Sequence, residues 1–257
     1  PGHTSFFIFA LGMLNFRNTN ISFCLLLVAL IVVHVSYGLP VFVYTLLLIA
    51  YSLIVFWGCS NVGSGFFIPI VCKAKIHKKE IAISFDDGPS VNFTNEILHV
   101  LKTENVKAAF FCIGNRIAGN ENILHQIHAD GHIIGNHSYS HHFWFDLYPE
   151  KKMQEDLSKM DETVFNTVGI KPKLFRPPYG VTNPNVKKVI TKGGYTPVGW
   201  SVRSLDTVCK DEQQLLNKIN AGIKPGAVFL FHDTCKVTLD ILPKFIQEVK
   251  KRGYDFI

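Results

Sequence analysis

The first quarter of the chain is almost continuously apolar. Residues 21–38 and 40–57 each form an 18-residue stretch without a formal charge, and the turn sequence Tyr-Gly-Leu-Pro joins them. At about 1.5 Å per residue, each stretch covers about 27 Å, close to the hydrocarbon thickness of a bilayer. The pattern predicts two transmembrane helices in a tight hairpin, with a buried helical hairpin of a soluble protein as the alternative.

From about residue 76 onward, short apolar runs alternate with amphipathic segments. Strands are predicted over 81–85, 107–113, 132–135, 174–175, 195–199, 227–231 and from 254, and helices over 92–104, 121–130, 150–168, 185–192, 211–223 and 239–251. Such alternation indicates a parallel sheet. About seven units favour a closed (β/α) barrel over an open doubly wound sheet. No GxGxxG follows the first strand, which argues against a dinucleotide-binding fold.

Charge divides the chain into two parts. Hydrophobic residues make up 47% of the 257 residues and charged residues 18%, at a mean hydropathy of +0.19, which excludes a disordered chain. Only Arg17 is charged within residues 1–72. We therefore expect a membrane anchor over 1–72 and a globular domain over 73–257. Surface lysines account for most of the net positive charge. Four of them near the boundary are expected beside anionic lipid headgroups: Lys73, Lys75, Lys78 and Lys79.

Two further classes are disfavoured by composition. Basic and aromatic residues do not interleave as in nucleic-acid-binding proteins, so no nucleic-acid partner is expected. The six cysteines include no CxxC pair, and we interpret them as buried free thiols rather than as a disulfide framework.

Polar side chains recur directly after the predicted strands. They are Asp86-Asp87, His137 and His141, Arg176-Pro177-Pro178-Tyr179, the segment Trp200 to Asp206, and His232-Asp233. In a (β/α) barrel the carboxyl ends of the strands meet at one mouth, where active sites are built. The sequence therefore predicts that these five segments converge on one site.

The residue types at this mouth point to metal-assisted hydrolysis. Two adjacent carboxylates repel each other and favour a nearby cation, although two solvated turn residues are the alternative. One Asp with His137 and His141 would make a three-ligand set for Zn²⁺ that leaves room for water. The second carboxylate can then accept a proton from that water, and His232 can donate one to a leaving group. His142 is a further candidate ligand, which we expect at the surface.

Four segments together resemble the signature motifs of the NodB-homology polysaccharide deacetylases, carbohydrate esterase family 4, in its membrane-anchored bacterial type. They are Ser84-Phe85-Asp86-Asp87-Gly88-Pro89-Ser90, His137-Ser138-Tyr139-Ser140-His141, Arg176-Pro177-Pro178-Tyr179 and Leu230-Phe231-His232. The resemblance implies a distorted (β/α) barrel and a metal-dependent hydrolase that removes acetyl groups from sugars. It also implies a divalent metal, Zn first and Co, Ni or Fe as alternatives.

The same resemblance implies a role for each site residue. Asp86 is the general base, Arg176 orients it, and His232 is the general acid. The metal ligands are Asp87, His137 and His141. The backbone N–H of Tyr179 stabilises the oxyanion. Asp206 joins the catalytic group, and Pro178, Trp200 and Leu230 join Tyr179 in binding substrate.

The fourth motif of the family departs from its pattern here. Arg203 stands where the family has an acid, and Thr207 stands where it has an aromatic residue. A cation beside a metal requires a carboxylate partner, for which we predict Asp206 or Asp86. Trp144 is a candidate replacement for the missing wall of the sugar groove, with plain packing as the alternative.

These features predict a membrane-anchored enzyme that deacetylates an N-acetylated surface glycan such as peptidoglycan. A deacylase of a lipid-linked amino sugar and a non-catalytic carbohydrate-binding barrel are the alternatives. Membrane lipid is the other expected partner. The positive-inside rule would place both flanks of the hairpin in the cytoplasm. Most substrates of the resembled family lie outside the cytoplasmic membrane, and we predict that the catalytic domain occupies its outer face.

Overall fold

Two long apolar helices begin the part of the chain, residues 14–257, that the computed structural model describes. They are α1, Phe16–Tyr37, and α2, Phe42–Ser60. Asn15 caps the start of α1 by accepting a hydrogen bond from the backbone N–H of Asn18. Both helices are long and apolar enough to cross a membrane, a property that a signal sequence shares. Only 6% of each apolar window is buried against the rest of the protein, which argues against the alternative of a core hairpin. The first 13 residues of the predicted anchor lie outside the described residues.

The domain that follows is a curled parallel sheet. Its strands are β1 Glu80–Asp86, β2 Ala109–Cys112, β3 Ile133–Asn136, β4 Leu174–Phe175, β5 Thr196–Pro197, β6 Val202–Arg203, β7 Val228–His232 and β8 Asp255–Phe256. The hydrogen-bonded order is β5-β4-β3-β2-β1-β7-β6, and β8 pairs with the start of β1. This arrangement confirms the predicted distorted barrel of about seven strands. The two-residue strand β6 was not predicted.

Six helices connect the strands. They are α3 Thr94–Thr103, α4 Glu121–Ala129, α5 Glu150–Val168, α6 Pro184–Gly193, α7 Glu212–Ala221 and α8 Lys236–Lys251. Each buries one apolar face; in α3 this face is Ile97, Leu98 and Leu101, at helical spacing. The sheet contributes alternating aromatic side chains such as Phe229 and Phe231, whose burial provides the main favourable free energy of folding.

The segment between hairpin and barrel is part of the sheet. Val71 donates to the carbonyl of Pro197 and accepts from the N–H of Gly199, each at 3.0 Å. Ala74 then donates to Gly226 at 2.9 Å, beside the start of β7. Residues 71–74 thus form isolated backbone bridges to the end of β5 and to the residue just before β7.

The hairpin end packs directly on the domain. The N–H of Phe16 donates to Phe66, and the N–H of Thr182 donates to the carbonyl of Cys59 at 3.0 Å. A Cβ on Gly58 would lie 2.3 Å from the ring of Phe66, so this close approach requires glycine.

Two of the four lysines expected beside lipid headgroups, Lys78 and Lys79, make contacts within the domain. Lys78 pairs with Glu80, and Lys79 donates to the carbonyl of Arg252. These contacts lie at the start of β1, within the domain, and none of them involves the hairpin.

Candidate active site

Residues at the carboxyl ends of the strands surround one cavity of about 200 Å³. Its lining residues are Asp86, Asp87, His137, His141, Pro177, Tyr179, Gly180, Trp200, Arg203, Thr207, Leu230 and His232. Asp86 and His232 are the last residues of the neighbouring strands β1 and β7, which pair at this position. The structure thus brings together five segments separated by as much as 146 positions in the chain, counted from Asp86 to His232.

Asp87, His137 and His141 form the cluster of this cavity that could hold a metal. Oδ1 of Asp87 lies 3.5 Å from Nε2 of His137 and 3.4 Å from Nε2 of His141. Ligand atoms about 2.0–2.1 Å from a tetrahedral Zn²⁺ would be separated by about 3.3–3.4 Å. The donor set therefore fits a divalent metal both in chemistry and in spacing.

The two imidazoles are prepared to act as ligands. Nδ1 of His137 lies 2.8 Å from the carbonyl oxygen of Arg176, so its N–H donates there and Nε2 keeps its lone pair. Burial and the neighbouring His137 lower the pKa of His141 to about 4, which keeps it neutral at neutral pH. Asp87 and His141 have positive φ angles of 75° and 45°, a strained backbone that turns both side chains inward.

A buried ion pair lies behind the cluster. The guanidinium of Arg176 is fully buried and donates to Oδ1 of Asp86 at 2.6 Å. It also donates to Ser84 and to the carbonyl groups of Val198 and Gly199. The ring of Phe111 lies 4.0 Å from the guanidinium carbon. Asp86 is thus held in place through Oδ1, while Oδ2 lies 3.7 Å from Nε2 of His137.

A second ion pair lies at the end of β7, the strand next to β1. Nδ1 of His232 lies 2.8 Å from Oδ1 of Asp206, and Oδ2 of Asp206 accepts from the N–H of His232 and from Thr238. Burial opposes protonation of His232, but the hydrogen bond and charge of Asp206 outweigh it and raise the His232 pKa above its ordinary value. Since Nδ1 is engaged, Nε2 is the nitrogen that is left for the cavity.

The loop after β4 supplies the rim of the cavity. Tyr179 has φ 59° and places its ring 4.8 Å from that of His141. A Cβ on Gly180 would lie 2.6 Å from the indole of Trp200, so the loop backbone packs closely on that ring. Pro178 is buried and does not line the cavity, where Pro177 takes its place.

Two predictions for the rim are wrong. Among residues 14–257, Arg203 has no carboxylate within ion-pair distance, because Asp206 binds His232 and Asp86 binds Arg176. Arg203 is exposed instead, with its guanidinium carbon 5.9 Å from the centroid of the Trp200 ring. Trp144 does not line the cavity, so it does not replace the missing aromatic wall.

The surface position expected for His142 agrees with the structure. His142 is exposed and stacks on Tyr148, away from the cavity.

One polar residue received no role from the sequence. Asp233 is fully buried, and its Oδ2 accepts from Oγ1 of Thr94, which in turn accepts from the N–H of Ser90. Burial raises the pKa of Asp233 to about 7 despite the hydrogen bond from Thr94. A Cβ on Gly88 would lie 2.0 Å from Oδ2 of Asp233. Asp233 therefore supports the loop that carries Asp87. In the sequence, its position directly after His232 was the feature that could have indicated this role.

Comparison with known proteins identifies the relatives of this domain. Residues 73–198 match the family described as polysaccharide deacetylase. A peptidoglycan-N-acetylglucosamine deacetylase of Bacillus cereus is 36% identical over 185 residues, which cover 70% of this chain and 67% of that protein. The corresponding PgdA of Listeria monocytogenes is 34% identical over 190 residues, 74% of this chain and 40% of its own length. The chain thus spans less than half of the Listeria protein.

Solved structures share the same architecture. The Bc1960 peptidoglycan N-acetylglucosamine deacetylase superposes with a TM-score of 0.70 at 33% identity, covering 73% of this chain and 89% of the other. BA3943 of Bacillus anthracis, described as a CE4 family pseudoenzyme, superposes with a TM-score of 0.68 at 25% identity, covering 72% and 65%. The fold therefore occurs in proteins described as deacetylases and in one described as a pseudoenzyme.

Proposed function

Because the chain belongs to the polysaccharide deacetylase family CE4, we propose that it is a metal-dependent hydrolase that removes acetyl groups from N-acetylated sugars of a surface glycan such as peptidoglycan. One observation carries the proposal. A candidate base, three candidate metal ligands and a candidate acid converge on a single cavity at the mouth of the barrel. The names of the relatives, which refer to peptidoglycan amino sugars, support the substrate class.

Asp87, His137 and His141 would hold the metal, for which we propose Zn²⁺ because the ligand set contains two imidazoles and one carboxylate. When bound, the metal would supply Lewis-acid chemistry, polarising a carbonyl and lowering the pKa of water. The carbonyl of Arg176 fixes the tautomer of His137 and thereby the direction of its lone pair.

Asp86 and His232 would move the protons. Asp86 accepts a proton from the attacking water through its free oxygen, while Arg176 holds the other oxygen in place. An amine is a poor leaving group and requires a proton, which Nε2 of His232 donates. Asp206 keeps His232 protonated at higher pH by raising its pKa.

The rim would bind the acetyl group and the developing oxyanion. The backbone N–H of Tyr179 donates to the oxygen on which negative charge develops, and loss of one such donor typically costs roughly 10²–10³ in rate. Trp200 and Leu230 offer apolar surface to the acetyl methyl group. Exposed Arg203 and Thr207 leave the far side of the groove more open and more polar than an aromatic wall would.

The second candidate is a non-catalytic carbohydrate-binding barrel, which the likeness to the BA3943 pseudoenzyme favours. The presence of Asp86, the three candidate ligand residues and His232 around one cavity argues for catalysis. Acetate release distinguishes the two candidates.

The decisive experiment measures acetate release from a panel of N-acetylated glycans by the full chain, before and after chelation and with metals added back. We expect chelation to abolish release and one divalent metal to restore it. Release at the full rate by a metal-free preparation would contradict the site assignment.

Three variants separate the proposed roles. His137→Ala should lose bound metal and activity together, whereas His142→Ala, a matched imidazole outside the cavity, should keep both. Asp86→Asn should keep metal but lose turnover, because an amide cannot accept the proton. Metal content by mass spectrometry and acetate release are measured on the same preparations; full turnover by Asp86→Asn would remove it as the base.

We propose that the domain lies on the outer face of the cell membrane, anchored by α1 and α2. Two spans joined by a short turn place the start of α1 and the domain on the same side. A cysteine introduced at the exposed position Ala118, in a background without the native cysteines, should react with an impermeant thiol reagent in intact cells. Labelling only after lysis would place the domain in the cytoplasm.

A further inference from the structure

A short loop beside the cavity exposes large apolar side chains. Phe143, Trp144 and Leu147 are 65%, 55% and 65% exposed, although they lie within five consecutive residues. The loop is not loose, because Phe145 between them is 1% exposed and Tyr148 after them is 9% exposed. Exposed apolar patches of this kind indicate an interaction surface.

This loop adjoins the end of the membrane hairpin. Thr182 donates to the carbonyl of Cys59 at the end of α2, and the next residue, Asn183, donates through Nδ2 to the carbonyl of Asp146. Two consecutive residues therefore connect the hairpin end with the apolar loop. Aromatic and aliphatic side chains beside the end of a membrane-spanning helix lie in the interfacial region of a bilayer.

A row of lysines lies along the other side of the junction. Lys187, Lys188 and Lys192 of α6 are exposed and line a groove of about 560 Å³ together with Phe16, the first residue of α1. Arg17 is exposed at the same helix end. Lys188 also pairs with Glu150 at 3.9 Å. Each cation near an anionic membrane surface contributes attraction, and the groove wall offers apolar surface beneath the charges.

We infer that the loop 143–147 and the lysine row of α6 together form a surface that docks the domain on an anionic bilayer beside its own hairpin. The loop enters the interface with its apolar side chains, and the lysines bind lipid phosphates. The occupant is the membrane surface, because the apolar and the cationic parts flank the same end of α1 and α2.

Docking has a consequence for the substrate, which rests on the proposed function. The ring of Phe143 lies 6.0 Å from that of Tyr179, whose ring lies 4.8 Å from that of the candidate ligand His141. A continuous row of rings thus leads from the docking loop to the candidate metal site. Because this row joins the proposed docking loop to the cavity, the substrate class that follows from docking is a lipid-linked N-acetylated amino sugar, presented at the bilayer surface.

Depth-dependent quenching tests the docking directly. The full chain carrying Trp57→Phe and Trp200→Phe, with Trp144 as its remaining tryptophan, is reconstituted in phosphatidylcholine–phosphatidylglycerol vesicles that contain brominated lipid. We expect strong quenching of Trp144. The matched variant with Trp57→Phe and Trp144→Phe reports Trp200 in the cavity and should be quenched less. The inference is overturned if brominated lipid quenches Trp144 and Trp200 equally weakly and if acrylamide in the aqueous phase quenches Trp144.

The lysine row is tested by charge removal. Lys187→Gln, Lys188→Gln and Lys192→Gln together should reduce quenching of Trp144 in the anionic vesicles. Lys236→Gln, Lys244→Gln and Lys251→Gln together remove the same charge from exposed positions of α8. This control variant should leave the quenching of Trp144 unchanged. An equal reduction by both triple variants would show a general charge effect and overturn the role of α6.

Activity separates failure of docking from failure of the proposed function. Acetate release is compared between a lipid-linked N-acetylated sugar in the vesicles and a soluble N-acetylated oligosaccharide of the same sugar. We expect the lipid-linked form to be turned over faster, and the α6 triple variant to lose that advantage while it keeps the rate on the soluble form. Quenching without any acetate release would refute the function alone, whereas release from both forms without quenching would refute docking alone.

Discussion

Replacement of Arg176 by methionine should destabilise the domain more than any exposed charge change. The guanidinium is fully buried and donates to Asp86, Ser84 and two backbone carbonyl groups. Arg176→Met keeps most of the volume but leaves the Asp86 carboxylate, 4% exposed, without its charge partner. Removal of one partner from a buried ion pair typically costs about 3–5 kcal/mol.

The expected loss can be measured as a melting temperature. For a domain of this size, 1 kcal/mol corresponds to about 2–4 °C, so Arg176→Met should melt roughly 6–20 °C below the wild type. Near-UV circular dichroism of the full chain in detergent micelles follows the loss of tertiary packing. Lys244→Met removes an exposed ion pair with Glu212 at 3.1 Å and should cost only about 0–1 kcal/mol.

A double variant separates the buried charge from lost packing. Asp86→Asn combined with Arg176→Met removes the unpaired carboxylate and should recover part of the lost stability. If Arg176→Met melts within the range of Lys244→Met, or if the double variant loses the sum of both single effects, the argument from the buried charge is refuted.

Three further predictions concern His232 as the candidate proton donor and the loop that carries the candidate ligand Asp87. Asp206→Asn removes the partner that raises the pKa of His232, so the alkaline decline of kcat should begin at lower pH; an unchanged alkaline limb would contradict the assignment. His232→Ala should slow amide substrates more than activated aryl acetates, whose leaving groups need no proton, and equal losses would exclude His232 as the acid. Gly88→Ala would place a Cβ 2.0 Å from Asp233, so metal content should fall, whereas Gly63→Ala, whose nearest neighbour lies at 3.6 Å, should retain metal.

The sequence predicted the elements whose signal is local. The run of apolar residues before Asp86 and the amphipathic repeat over 150–168 give clear periods, and the observed bounds of that helix equal the predicted ones. The convergence of Asp87, His137 and His141 also followed, because the carboxyl ends of barrel strands must meet. These inferences required only spacing, residue type and the connection rule for parallel strands.

Features that depend on non-local pairing were beyond the sequence pattern. Strand β6, Val202–Arg203, is too short to show any period and is defined by its pairing with β7. The partner predicted for Arg203 was wrong because both candidate carboxylates are taken by residues from distant strand ends. The role of Asp233 depends on Thr94, which lies 139 positions away in the chain.

Residues 71–74 do not behave as a flexible linker between the hairpin and the domain. A flexible linker of a dozen residues lets a domain explore roughly 20 Å, and its effective concentration at a target falls as the linker lengthens. Here Val71 and Ala74 are hydrogen-bonded into the barrel, and Thr182 is bonded to the hairpin end. The height of the cavity above the hairpin is therefore fixed by covalent and hydrogen-bonded geometry. With the anchoring proposed above, reach along the proposed glycan substrate would be set by lateral diffusion of the whole molecule, not by swinging of the domain.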